Sequence, residues 1–328
     1  MNRLLFLLVA CSLHLVTYAQ PQTYPSSFIV AQNGTGNFKT IQEAINAVRD
    51  LSQQQVKIFI KNGVYHEKII IPSWKTNISL VGESKDNTII SYNDYAGKLL
   101  PVKDYFLKID TLRTFTSYTI LIVGNDCSIE NVTIENNAGR VGQAVALHTE
   151  GDRVIIKNCK LLGNQDTYYA ARDGSRVYFK DCFIEGTTDF IFGEATVVFK
   201  SCIIKNLVNS FITAASTRPW RNFDFVFFDC KLIADTTAKK VFLGRPWRPY
   251  SKTVYINTEM GSHILREGWD NWRNPVNEKT VLYAEYKSYG PGANAEVRVK
   301  WSKQLSKKEM KKYRLKNIFD VWDPEKKQ

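Results

Sequence analysis

The middle of the chain repeats one short pattern of apolar and polar positions. "VIIKNCKL" begins at residue 154, "VYFKDCFI" at 177, "VVFKSCII" at 197 and "FVFFDCKL" at 225, and a weaker copy, "CSIENVTI", begins at 127. The starts are 27, 23, 20 and 28 residues apart. Each copy reads as a short β-strand with apolar alternation followed by a polar, Gly-containing turn. Strand-rich repeats of 20 to 30 residues without intervening helices predict a solenoid. The leucine-rich frame is missing, so a parallel β-helix fits best, each repeat forming one rung stacked at the strand spacing of about 4.8 Å. Ile155, Val198 and Phe228 are expected in its interior.

Further short strands are expected at 56–65, 67–72 and 77–83. The segment 40–51 reads as an amphipathic helix that plugs one end of the coil. Thr40 and Glu43 form its capping box, and Ile41, Ala44, Ile45 and Val48 share one face. At the other end Ser306 and Glu309 open a second, Lys-rich helix within a basic tail at about 304–328. No linker divides the chain, so residues 20–328 are expected to form one all-β domain with short capping helices.

The N-terminus sets the compartment. Residues 1–19 have a basic start, an apolar stretch and a small residue, Ala19, at the end, which is the pattern of a secretory signal. The expected location is secreted or periplasmic. "LVAC" at 8–11 offers a second reading, a lipoprotein anchored through Cys11. No other run is long and apolar enough for a membrane span. The formal charge of +12 points to a polyanionic partner. For an exported protein an acidic glycan is favoured over nucleic acid. Five cysteines remain after the leader, an odd number that leaves at least one free thiol, and their spacing is not that of a zinc site.

The chemistry centres on two related loops, "GNQDTYYA" at 163–170 and "GTTDFIFG" at 186–193. Asp166 lies 12 residues after Val154, and Asp189 lies 12 after Val177, so the two acids occupy equivalent places on adjacent rungs. An ungapped alignment of the preceding repeat places Gln143 in the same column, with Gln165 next door. Two carboxylates about 5 Å apart repel, and one pKa rises unless a cation intervenes. Such a pair can divide acid and base roles. An Asp ladder that merely caps turns is the plainer alternative; flanking aromatic residues and two glutamines favour function. No G-x-S-x-G elbow or phosphate loop is present, and the mature histidines are only His66, His148 and His263. Two carboxylates with amides are a thin donor set for calcium. In "FLGRPWRPY" (242–250) Arg245 can neutralise one carboxylate and Trp247 can serve as an apolar plate for a sugar ring.

Together, "GQAVAL" (142–147), "GNQDTYYA", "GTTDFIFGEA" (186–195) and "LGRPWRPYS" (243–251) resemble the pectin methylesterase family, and agreement extends over roughly 28–303. The resemblance implies a right-handed, single-stranded parallel β-helix, hydrolysis of galacturonate methyl esters in pectin, and no metal or organic cofactor. It implies Asp189 as nucleophile, Asp166 as general acid and base, Gln143 and Gln165 as oxyanion donors, and Arg245 as the group that orients Asp189. Thr114, Phe190 and Trp247 match or flank substrate-contacting positions. The expected partner is methylesterified homogalacturonan, met by a monomer of a bacterial secreted type. Cys182 and Cys202 sit at matching places on neighbouring rungs, within disulfide reach, and some bacterial relatives look similar there, so a bridge between them is expected. The sequence departs from the family at His148, at Thr188 and over "TAASTRPW" (213–220). A β-helical lyase or polygalacturonase and a non-catalytic glycan-binding solenoid are the rival readings.

Overall fold

The structure is a computed structural model that describes residues 23–104 and 109–326. The expected leader, and Cys11 with it, lie outside the described residues.

Short strands pair with the equivalent strand of the next turn of the chain, and among the described residues all but one of the pairings between strands are parallel. Among the described residues they assemble three parallel sheets of 11, eight and seven strands, plus a small antiparallel pair formed by Leu99–Asp104 and Ile109–Thr111. The chain is a parallel β-helix. One complete rung comprises Arg176–Lys180 in the long sheet, Phe183–Gly186 in the second and Ile191–Gly193 in the third. The four repeat steps read from the sequence are the observed registers: Ser128 pairs with Ile155, Val154 with Val177, Val177 with Val197 and Val197 with Phe225.

The turn after each long-sheet strand explains the "KNC", "KDC" and "KSC" signature. Asn158, Asp181, Ser201 and Asp229 all adopt positive φ, between 47° and 54°. Short polar side chains tolerate this left-handed conformation better than most. The following cysteine then points inward, so Cys159, Cys182, Cys202 and Cys230 line the interior. The interior also holds a stacked aromatic file, Phe179–Phe199–Phe227–Tyr255, with ring centroids 5.0, 4.5 and 4.4 Å apart.

Two expectations about the cysteines and the core are corrected. The described cysteines, Cys182 and Cys202 among them, are free and buried. Parallel stacking aims these side chains the same way, and the Cys182 thiol donates to the carbonyls of Ile156 and Lys180 instead of bonding to sulfur. Ile155, Val198 and Phe228 do not face the interior; Val197, Phe199 and Phe227 do. Ile155, Tyr178, Val198, Val226, Val254 and Ala284 form an in-register column on the outer face of the long sheet.

That column is covered by the C-terminal tail. Leu305, Tyr313, Ile318, Phe319 and Trp322 pack onto it, and Phe319 is fully buried. The predicted capping box of Ser306 and Glu309 is present, but its helix, Lys307–Met310, has four residues and belongs to a strap along the flank, not to an end plug. At the other end the expected helix, Ile41–Ala47, carries the Thr40–Glu43 box and packs against the first strands.

Candidate active site

The site is built on the turn that leads into the third sheet. Asp166 and Asp189 both sit there at positive φ, 66° and 49°. As in the rung turns, a short polar side chain tolerates this left-handed conformation. The glycine that opens each loop is set by close approach. A Cβ on Gly186 would lie 2.2 Å from the Phe190 Cβ, and one on Gly163 would lie 2.6 Å from the Thr167 hydroxyl. The residue after each aspartate therefore folds inward over the glycine, leaving the carboxylate on the outer face. Successive backbones are tied rung to rung: the Asp166 N–H donates to Thr188 O and the Asp189 N–H to Phe211 O.

Both acids are nearly buried, 5% and 6% exposed. Their environments differ. Arg245, on the strand Phe242–Pro246, grips Asp189 with two hydrogen bonds, Nε to Oδ1 at 3.0 Å and Nη2 to Oδ2 at 2.6 Å. The guanidinium is held flat between the rings of Phe211 (4.0 Å) and Trp272 (3.7 Å). Arg suits such a site because its planar fork both chelates a carboxylate and stacks on aromatic faces. Burial, and then the neighbouring Asp189 charge, push the Asp166 carboxyl up to about 8, against the Gln143 hydrogen bond and the Arg245 charge. Burial raises Asp189 as well, and Asp270 adds to this, but Arg245 opposes it through both its hydrogen bonds and its charge. The negative charge of the pair thus settles on Asp189 and the proton on Asp166.

A cleft of about 200 Å³ opens over the pair, and Thr114, Gln143, Gln165, Asp166, Asp189, Arg245 and Trp247 all line it. Of the residues expected here, only Phe190 is misplaced. It is fully buried in the core, and Phe192 lines the cleft instead. The reason is the left-handed turn at Asp189, which sends the next side chain inward. Register carried the signal for Phe192: it pairs with Tyr169, whose ring stacks on it at 4.6 Å. His148, Tyr169, Phe192, Ala214 and Arg245 form one in-register column on this sheet. Phe115, Ala214 and Trp272 also line the cleft without having been singled out in the sequence. Trp272 lies in a loop of no regular pattern, and nothing local marks it.

The column containing Gln143 also needs correction. Gln143 is the register partner of Gln165, not of Asp166, because the offset between these rungs is 22 residues at Gln143 and 21 at Leu147, which pairs with Tyr168. The turn after Ala170 is two residues longer than the turn after Thr149, which restores the 23-residue offset at Val154. An ungapped alignment hides both adjustments. The Gln143 amide nevertheless reaches the Asp166 carboxyl.

A sequence model described as Pectinesterase matches residues 27–321. The chain belongs to the pectinesterase family. It is 34% identical over 278 residues to Pectinesterase 31 of Arabidopsis thaliana, covering 84% of this chain and 86% of that protein. Among solved structures, the pectin methylesterase from carrot superposes with a TM-score of 0.81 at 31% identity, covering 92% and 95% of the two chains. The pectin methylesterase PemA from Erwinia chrysanthemi does so with a TM-score of 0.78 at 29% identity, covering 92% and 99%. The expectation of a specifically bacterial type is not borne out, since curated relatives such as those from Arabidopsis thaliana, Prunus persica and Citrus sinensis are plant pectinesterases. The pectinesterase match runs past the tail's Phe319, further than the motifs read from sequence.

Proposed function

We propose that this pectinesterase hydrolyses the methyl esters of galacturonate residues in pectin with Asp189 as nucleophile and Asp166 as general acid and base. The observation that carries this reading is the asymmetry of the pair: a bidentate arginine on Asp189, and an Asp166 carboxyl pushed up to about 8.

In the first step an Asp189 oxygen attacks the ester carbonyl carbon and the carbonyl π pair moves onto oxygen. The side-chain amides of Gln143 and Gln165, both on the cleft wall, donate to that oxyanion. Collapse breaks the bond to the methoxy oxygen, Asp166 gives it a proton, and methanol leaves. The substrate acyl group is now joined to Asp189 as an anhydride. Asp166, now a carboxylate, takes a proton from water, and the hydroxide attacks the substrate acyl carbon. Asp189 departs as a carboxylate, back in the grip of Arg245. Trp247 and Phe192 supply apolar walls for the sugar.

Secretion through residues 1–19, action as a monomer and binding of methylesterified homogalacturonan belong to the same proposal. A measurement that counts products tests it: methanol and new carboxylate should appear in equal amounts, with EDTA present, and no unsaturated sugar ends should form. Unsaturated ends would indicate a lyase, and binding without products would indicate a glycan-binding module.

A further inference from the structure

One wall of the cleft hangs on a detour of the chain. Residues 93–119, 27 in all, run between the second-sheet strand Thr88–Tyr92 and the third-sheet strand Ile120–Ile122, where the next rung uses ten, 137–146. Both ends of the detour reach the site. Near its start the Ala96 N–H donates to Gln143 O at 2.9 Å. Near its end the short turn Thr114–Thr116 places Thr114 and Phe115 on the cleft lining. Long connections are where conformational multiplicity lives, so whatever ties the two ends together decides where these groups stand.

Lys68 is such a tie. Its Nζ donates to Asp94 Oδ2 at the start of the detour and to Thr116 O at its end, both at 2.6 Å. Asp94 is buried and also receives Lys98 Nζ at 2.9 Å. The Lys68 ammonium lies 4.8 Å from the centre of the Tyr118 ring. Asn136 reinforces the knot, its amide donating to Asp94 O at 2.8 Å and to Ser117 O at 3.0 Å. A buried carboxylate depends on its partners, and removing one disturbs far more than it would at the surface. Lys68 itself does not meet the ester. It precedes Ile69–Ile71, the edge strand of the third sheet, three strands from the one that follows Asp166. At the strand spacing that is roughly 14 Å. An ion pair that served stability alone could sit anywhere on the coil; this one joins the two segments of the detour that touch the site.

We propose that Lys68 is a positioning residue for the hydrolysis: by joining Asp94 to the Thr116 carbonyl it closes the detour beside the cleft, fixing Thr114 and Phe115 on the substrate wall and, through Ala96, Gln143 at the oxyanion. The inference rests on the pectin-ester reading above.

The test measures methanol release by wild type, Lys68→Met, Lys68→Arg and, as a lesion of stability on another sheet, Phe319→Ala. Lys68→Met should lower kcat/KM at least about tenfold, through both constants, since a displacement of about 1 Å can cost on the order of 100-fold. It should also move the alkaline fall of kcat/KM, set by Asp166, to higher pH, because the Gln143 hydrogen bond that lowers the Asp166 carboxyl is loosened. Lys68→Arg, which keeps the cation and its donors, should recover most of the loss. Phe319→Ala should melt earlier with KM and the alkaline fall in place. If Lys68→Met does not fold, Asp94→Asn removes the same ion pair while keeping the side chain's shape, and the same changes are expected. Wild-type KM and an unmoved alkaline fall in folded Lys68→Met or Asp94→Asn, whatever the melting temperature, overturn the inference. If wild type itself releases no methanol from pectin, the ester-hydrolysis reading fails, and the positioning role with it.

Discussion

Arg245 closes on both carboxylate oxygens of Asp189, and among the described residues Asp166, one rung away, forms no ion pair. One acid is held charged and oriented; the other, buried beside that charge, keeps its proton to about pH 8. The division of labour comes from where one arginine reaches, since the two loops are near copies.

The first prediction concerns pH. The initial step needs Asp166 protonated, and its carboxyl is raised from an ordinary 3.8 to about 8. The value of kcat/KM should therefore hold through neutrality and fall as pH rises through about 8. Asp166→Asn should be slow at every pH and lose that limb. Activity that stays flat from neutrality through about pH 10 would mean that protonated Asp166 is not needed in the first step.

The two glutamines can be separated. Loss of either as alanine removes an oxyanion donor and should lower kcat about 100-fold. Only Gln143 also donates to Asp166, an interaction that lowers its pKa. Gln143→Ala should therefore move the alkaline limb of kcat/KM to higher pH, and Gln165→Ala should leave it in place. A pH–rate series on both variants checks this.

Much of this arrangement is legible in the order of residues alone. The turns that place a short polar residue before a cysteine mark the rungs, because a left-handed turn and an inward thiol recur at fixed register. The equivalence of Asp166 and Asp189 follows from those marks. The departures share a physical origin. Strands such as "VYFK" are buried on both faces, one by the core and one by the tail, so alternation cannot give them a phase. Phe190 and Phe192 exchange places because positive φ at Asp189 resets the alternation. Gln143 slips by a residue because neighbouring turns differ in length. Trp272 reaches Arg245 through a loop whose course no local pattern encodes.

The tail is a stability element. Phe319 is fully buried on the outer column and lies edge-on to Tyr178, 6.3 Å between ring centroids. Phe319→Ala should cost about 3–5 kcal/mol, the usual range for such a truncation. Because the strap covers the long sheet and the acids sit at the third, kcat at low temperature should change little. Denaturant unfolding beside an activity assay tests both halves of the statement.

The central claim is that the charged acid of the pair is the nucleophile. The direct measurement is methanol release from highly methylated pectin, with EDTA present, by wild type and by folded Asp189→Ala. Release by wild type, with the variant roughly a thousandfold or more slower, is the predicted result. Comparable release by both proteins would contradict it and remove Asp189 from the chemistry.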